Sequence, residues 1–249
     1  MKIGVQIHPQ ATTVSQMREA WRAADALGVD SLWVWDHFYP LYGESDEAHF
    51  ESYTLLAAMA VDTSHAQIGA LVACYSYRNP HLLADMSRTI DHISGGRFIL
   101  GIGSGWFERD YKEYGYEFGT AVGRLKLLEA GLPVIKERLG KLNPGPVNGS
   151  MPLMIGGSGE KFTLRLVAEH ATMSNVFGPV ENVQHKHNVL DQWCRKIGRD
   201  PAEVERTVSI NPEDLENADA FIEAGADHLI VMVGSPFDLT EVEKFMDSR

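Results

Sequence analysis

The chain has 249 residues, 44% of them apolar and 22% charged, with a formal net charge of −12. That length suits one α/β domain over residues 1–249, able to bury a sizeable core without disulfides or metals. The acidic balance argues against nucleic acid and anionic membrane as general partners, though a locally positive site could still take an anion.

Short apolar segments alternate with amphipathic ones, the rhythm of a parallel α/β fold. Residues 2–6 read as the first strand, and 15–27 as a helix with Ser15 as N-cap and Gly28 as stop. Residues 31–35 are the second strand and 53–61 lie in the second helix. Residues 67–73, nearly continuous in apolar and small side chains, are the third strand. A helix over 81–93 starts at Asn79-Pro80, and Ser94-Gly95-Gly96 turns the chain into the fourth strand at 98–103. A long helix over 121–139 precedes a turn-rich connector, Asn143 to Gly149, and the fifth strand at 153–155. A helix over 160–170, a short strand at 171–174 and a helix over 183–197 follow. Strand 207–210, helix 218–224, strand 228–233 and helix 239–247 complete eight units. Eight such units predict a single (β/α)₈ TIM barrel. No repeat, linker or low-complexity tract interrupts it.

Cys74 and Cys194 make neither a disulfide framework nor a metal pattern, no metal site is visible, and a reducing cytoplasm is expected. No apolar run reaches membrane-spanning length and no signal peptide is visible, so no membrane partner is expected.

In such a barrel the active site lies at the carboxyl ends of the strands, so the residues after each strand matter most. Gly156-Gly157-Ser158-Gly159 joins a strand to a helix. It is either a backbone cradle for a cofactor phosphate or a tight turn. Asp36-His37 is the acid–base candidate, a carboxylate beside an imidazole whose tautomer it could fix. The alternative is a helix-capping Asp and a packed His. His8 holds the equivalent place after the first strand. Cys74 falls at the mouth without a positive neighbour and reads as pocket lining rather than a nucleophile. Trp106 follows a glycine-rich strand end and is placed to wall a planar ring. Residues 108–117, acidic and aromatic, read as a solvated surface segment.

Several segments occur in order along the chain: Ser31-Leu32-Trp33-Val34-Trp35-Asp36-His37-Phe38, Tyr77-Arg78-Asn79-Pro80, Asp91-His92-Ile93-Ser94-Gly95-Gly96-Arg97, Leu100-Gly101-Ile102-Gly103-Ser104-Gly105-Trp106, Gly156-Gly157-Ser158-Gly159, Gly198-Arg199-Asp200-Pro201 and Gly225-Ala226-Asp227-His228. Together they resemble the luciferase-like monooxygenase superfamily, within it the coenzyme F420-dependent oxidoreductases. The resemblance implies a bacterial-luciferase-like barrel and hydride transfer between F420 and a small organic substrate. It places Asp36 and His37 beside the cofactor ring, with His37 moving the proton and Asp36 orienting it. Leu71 and Val72 match a bulge backing the ring, often held by a non-proline cis peptide. Gly157, Ser158 and Gly159 match a phosphate loop whose amides, those of Gly157 and Ser158 foremost, would bind the cofactor, and Asn175 matches a position at the cofactor edge. The resemblance also implies a homodimer, formed through the helices at 53–61 and 81–93. Two other readings stand beside this one. They are an FMN-dependent monooxygenase fed by a separate reductase, and a non-catalytic flavin-binding or structural homologue. The chain departs from the family pattern in its short connector before the fifth strand and its short Asn211-Pro212-Glu213-Asp214 segment.

Overall fold

The structure, a computed structural model, describes residues 1–248. One parallel sheet contains β1 (Lys2–Ile7), β2 (Ser31–Val34), β3 (Gln67–Ala70) and β4 (Ala73–Cys74). It continues through β5 (Phe98–Gly103), β6 (Leu153–Gly156), β7 (Met173–Phe177), β8 (Glu205–Ile210) and β9 (His228–Val233). β1 pairs with both β2 and β9, and β3 pairs with both β2 and β5, so the sheet closes on itself. β3 and β4 are two segments of one barrel position, giving the predicted eightfold (β/α) barrel.

The helices are α1 (Val14–Ala26), α2 (Ser52–Asp62), α3 (Pro80–Ile93), α4 (Glu108–Tyr114), α5 (Ala121–Lys141), α6 (Thr163–His170), α7 (Val180–Lys196), α8 (Ala218–Glu223) and α9 (Thr240–Asp247). Their apolar stripes pack onto the barrel. In α1 the buried set Met17, Ala20, Trp21 and Ala24 recurs every three or four residues and forms one face. Inside the barrel, Trp33, Ile99, Met154, Met173 and Ile230 from five strands meet Leu71 in a separate buried cluster. No described helix is long and apolar enough to cross a membrane.

Four details differ from the sequence reading. Thr13, not Ser15, caps α1, because Thr13 has Gln16 three residues on and the two exchange a reciprocal capping box. The strand expected at 171–174 runs from Met173 to Phe177, since the Ala171 amide still closes the last turn of α6 on Val167. The third strand is not continuous through 73. It breaks at Leu71–Val72, whose peptide bond is cis. There the Leu71 amide keeps its bond to the Val34 carbonyl, and the Gln6 side chain donates to the Leu71 carbonyl at 3.0 Å. The glycines of β5 and β6 make the clearance for this bulge. A Cβ at Gly101 would lie 2.0 Å from the Ala70 carbonyl oxygen, and Cβ atoms at Gly103 and Gly156 would meet Val72 methyls at 2.8 and 2.9 Å. Finally, residues 108–117 are not merely a surface segment. They contain α4, which buries Asp110 and Tyr111 completely.

At the opposite, amino-terminal end of the barrel, Ser31, His228 and Glu205 form a row, with 2.9 Å from Ser31 Oγ to His228 Nε2 and 2.9 Å from His228 Nδ1 to Glu205. Lys2 closes the row on Glu205. The order resembles a hydrolytic triad, but Ser31 and His228 are wholly buried and the Trp33 indole N–H already occupies the Ser31 hydroxyl. This row seals the barrel floor.

Candidate active site

A cleft of about 410 Å³ opens at the carboxyl ends of the strands. Asp36 and Gly157 share its rim, as the barrel reading requires. Of the residues singled out from sequence, Asp36, His37, Leu71, Val72, Cys74, Trp106, Gly157 and Asn175 line it. Ser158 and Gly159 sit immediately beyond it on the same loop.

His37 follows β2 and reaches the mouth. Its Nδ1 lies 2.7 Å from Asp110 Oδ2, and Asp110 is fully buried in the first turn of α4. Asp110 Oδ2 also accepts the Tyr77 hydroxyl at 2.9 Å, and Oδ1 accepts the Phe38 amide at 3.2 Å. An ionised carboxylate only accepts, so the His37 proton belongs on Nδ1 and the lone pair on Nε2. Nε2 has no hydrogen-bond partner among the described residues. The rings of Trp106 and Phe107 stand edge-on to the imidazole at 5.6 and 5.4 Å.

The expectation that Asp36 orients His37 is corrected here. Asp36 and His37 lie just past the end of β2 at Val34, and their side chains take different partners. Asp36, 1% exposed, turns away and accepts both terminal nitrogens of Arg78 at 2.6 and 2.9 Å, plus the Cys74 amide at 2.9 Å. Arg78 continues to Glu51 at 2.6 Å and lies over the Tyr53 ring. Burial alone would depress the Arg78 guanidinium, but Asp36 outweighs it and holds the pKa above its usual value. Asp36 therefore ties the end of β2 to the start of the segment after the bulge.

Cys74 lines the cleft as expected. Its sulfur lies 3.1 Å from the Tyr111 hydroxyl, and burial pushes the thiol up to about 11, so it stays protonated. Trp106 is 62% exposed and stands at the rim. The Asn175 side chain is fixed by Thr207 at 2.8 Å and Ser209 at 3.1 Å.

The glycine loop also differs in detail. Gly157 holds φ +121°, a conformation that favours glycine, but its amide donates to the Asn175 carbonyl at 3.0 Å. Ser158 and Gly159 are exposed, and among the described residues no acceptor takes their amides. Lys161 follows them without an acidic partner among the described residues. The loop can thus offer amides to an anion, from Ser158 and Gly159 rather than Gly157.

Across the barrel, His8 stacks on Trp35 with centroids 4.2 Å apart, and the Trp35 indole N–H donates to His49 Nε2 at 2.8 Å. Burial lowers His8 to about 4, and burial together with the nearby His37 lowers His49 to about 4.

Asp110 was missed in sequence, as were the roles of Tyr77 and Arg78. The available signal was the spacing of Phe107, Asp110, Tyr111 and Tyr114, which repeats every three or four residues and marks a helix face.

The family model described as luciferase-like monooxygenase matches residues 1–230. A stretch of 138 residues is 30% identical to an F420-dependent glucose-6-phosphate dehydrogenase of Amycolatopsis mediterranei, covering 55% of this chain and 41% of that protein. The chain spans about half the length of the curated relatives it matches. Among solved structures, an F420-dependent secondary alcohol dehydrogenase in complex with an F420-acetone adduct superposes with TM-score 0.87 at 16% identity, over 99% of this chain and 97% of that one. The oxygenating constituent of a 3,6-diketocamphane monooxygenase from Pseudomonas putida, in complex with FMN, gives TM-score 0.77 at 15% identity, over 99% and 96%. At these identities the structural likeness speaks for the fold.

Proposed function

The chain belongs to the luciferase-like monooxygenase family, and we propose that it is an oxidoreductase moving a hydride between coenzyme F420 and a small organic substrate. The observation that carries this reading is His37, held at the cleft mouth by a buried carboxylate with its second nitrogen unpaired.

The cleft fits a flavin-type group on three counts. Its volume of about 410 Å³ falls in the range of cofactor sites. Leu71 and Val72, at the bulge given clearance by Gly101, Gly103 and Gly156, line the cleft and offer an apolar side to a ring. Ser158, Gly159 and Lys161 leave two amides and an ammonium for a phosphate. When bound, a deazaflavin supplies two-electron hydride chemistry. The protein does the rest. Nε2 of His37 takes or gives the proton that accompanies the hydride at the substrate oxygen. Asp110 holds the tautomer and stabilises the imidazolium that forms. Trp106 and Phe107 shield that proton from water. Asp36 keeps the Cys74 amide, and with it the segment after the bulge, in place.

The likeness to F420-dependent proteins favours the deazaflavin. An FMN-dependent monooxygenase fed by a separate reductase is the second reading, favoured by the likeness to the FMN complex. Titrating the purified chain with F420 and with FMN, each followed by its own fluorescence, tests both. Saturable F420 binding, followed by hydride transfer that His37→Ala slows, supports the first. Binding of FMN alone supports the second. Binding of neither overturns both and leaves a structural homologue.

A further inference from the structure

We propose that the β1–β2 side of the cleft mouth is a subsite for uncharged, planar carbonyl compounds or the corresponding alcohols, and that it excludes anionic substrates. The inference rests on the oxidoreductase reading and adds to it the substrate class.

Charge comes first. Among the described residues no Lys or Arg lines the cleft. The one lining carboxylate, Asp36, is committed to Arg78 and the Cys74 amide. Asp110 behind His37 is committed to three donors. The uncommitted ammonium, Lys161, belongs to the loop after β6, which stands four strand positions from β1 and so across the barrel. A cofactor phosphate held there leaves a substrate anion only the β1–β2 side, where the cations Arg78 and Arg109 are already paired with Asp36, Glu51 and Asp46. An anion moved from water onto that side loses its hydration without a counter-ion.

The wall on that side is aromatic and uncharged by geometry. An indole N–H can only donate, so the bond from Trp35 requires His49 Nε2 to be unprotonated. His8 lies flat on Trp35 with its Nε2 buried and unpaired, a position that would leave an imidazolium proton without an acceptor. Trp35 thus has one neutral imidazole on its face and a second at its N–H edge, and has no free side-chain donor to offer.

The rim is built in the same way. On this side Tyr42 is 61% exposed and presents a large apolar face, while Trp106 and Phe177, which follow β5 and end β7 and so flank β6, close the same opening from the far side. Gln10 pins the segment carrying Tyr42, accepting the Leu41 amide at 2.7 Å and donating to the Tyr42 carbonyl at 2.8 Å. A planar, neutral molecule gains stacking on Tyr42, whose backbone is already held. Its carbonyl or hydroxyl is then the polar group left for His37.

The probes are acetophenone and 4-acetylbenzoate, which differ by one carboxylate. Equilibrium dialysis against the full chain at pH 7 should show acetophenone binding about tenfold more tightly or better. In Tyr42→Arg, which puts a cation on an exposed rim position, the preference should shrink to about threefold or reverse. Equal binding of the two probes by the native chain, no binding of acetophenone, or a Tyr42→Arg variant with unchanged preference overturns the subsite. F420 and FMN titrations on the same samples separate the two levels. A chain that holds a cofactor without discriminating the probes loses only the subsite. A chain that discriminates but holds neither cofactor loses the functional reading.

Discussion

The Nδ1 atom of His37 lies 2.7 Å from Oδ2 of Asp110, a residue 73 positions later in the chain. The pairing joins the end of a barrel strand to a helix laid over the mouth. It converts a side chain of ambiguous tautomer into a directed one. Two donors, His37 Nδ1–H and the Tyr77 hydroxyl, converge on one oxygen of Asp110, and the Phe38 amide takes the other. Only a carboxylate accepts from all three without turning a donor toward a donor.

Asp110→Asn should therefore lower hydride-transfer turnover by about 100-fold, against about 100-fold to 10,000-fold for His37→Ala, the range of general acid–base catalysis. F420 affinity should stay within a few-fold in both. A positioning role also predicts that the pH profile of single-turnover transfer moves in Asp110→Asn, because the imidazole loses its fixed partner. An unchanged rate and profile would make the pair a packing feature.

Asp36→Asn should behave as a stability variant. It removes one partner of a buried ion pair and leaves Arg78, with a side chain only 9% exposed, leaning on Glu51 alone. Loss of one partner in such a pair costs roughly 3 kcal/mol, read as a lowered urea midpoint. The companion Arg78→Met/Asp36→Asn variant should recover part of that loss, since it buries no unpaired charge. If Asp36→Asn denatures like the native chain while losing turnover, Asp36 acts on the reaction directly rather than as a structural anchor.

The barrel was legible because buried strands read as short apolar runs and helices as stripes with a period near four. The cleft followed from the rule that strand carboxyl ends form it, which gathered His37, Cys74, Trp106, Gly157 and Asn175 with no knowledge of contacts. What failed was pairing. Asp36 sits beside His37 in sequence, yet the two side chains go to different partners, Arg78 and Asp110, that neighbouring residues do not reveal. Asp110 is remote in sequence, and its acidic neighbours Glu108 and Glu113 disguised a helix that buries one carboxylate. The glycine loop was readable as a loop. The loss of the Gly157 amide to the Asn175 carbonyl depends on the register of β6 with β7, which no local pattern encodes.

Lys161→Ala tests the anion end of the cleft without disturbing the fold, since Lys161 is exposed. F420 should bind about 3-fold to 10-fold more weakly at low salt, with the difference shrinking as ionic strength rises. Gly157→Val should weaken binding at least about tenfold, through its φ of +121° rather than through its amide. A Lys161→Ala variant that binds F420 like the native chain at every salt concentration would move the phosphate elsewhere.

The imidazoles behind Trp35 make stability depend on pH in a stated direction. His8 and His49 are both lowered from 6.5 to about 4, His8 by burial and His49 by burial and then by the charge of His37. In the unfolded chain each takes up a proton near pH 6.5, whereas the native chain resists until about pH 4. Between those values the unfolded state binds more protons, so their stabilising contribution is fully present above about pH 6.5 and is lost as pH falls toward 4. From pH 7 to pH 5 the loss should be about 1–2 kcal/mol for each histidine. That window lies above the carboxylate range, where Asp62 and the other paired acids add their own losses. Urea unfolding at the two pH values measures it. His49→Gln keeps an oxygen to accept the Trp35 N–H and cannot titrate, and His8→Phe keeps the stack. The double variant should lose most of the slope between pH 7 and pH 5 while remaining folded at pH 7. A native chain equally stable at both values, or a double variant with the native slope, would show that these two imidazoles are not the neutral backing of the aromatic wall.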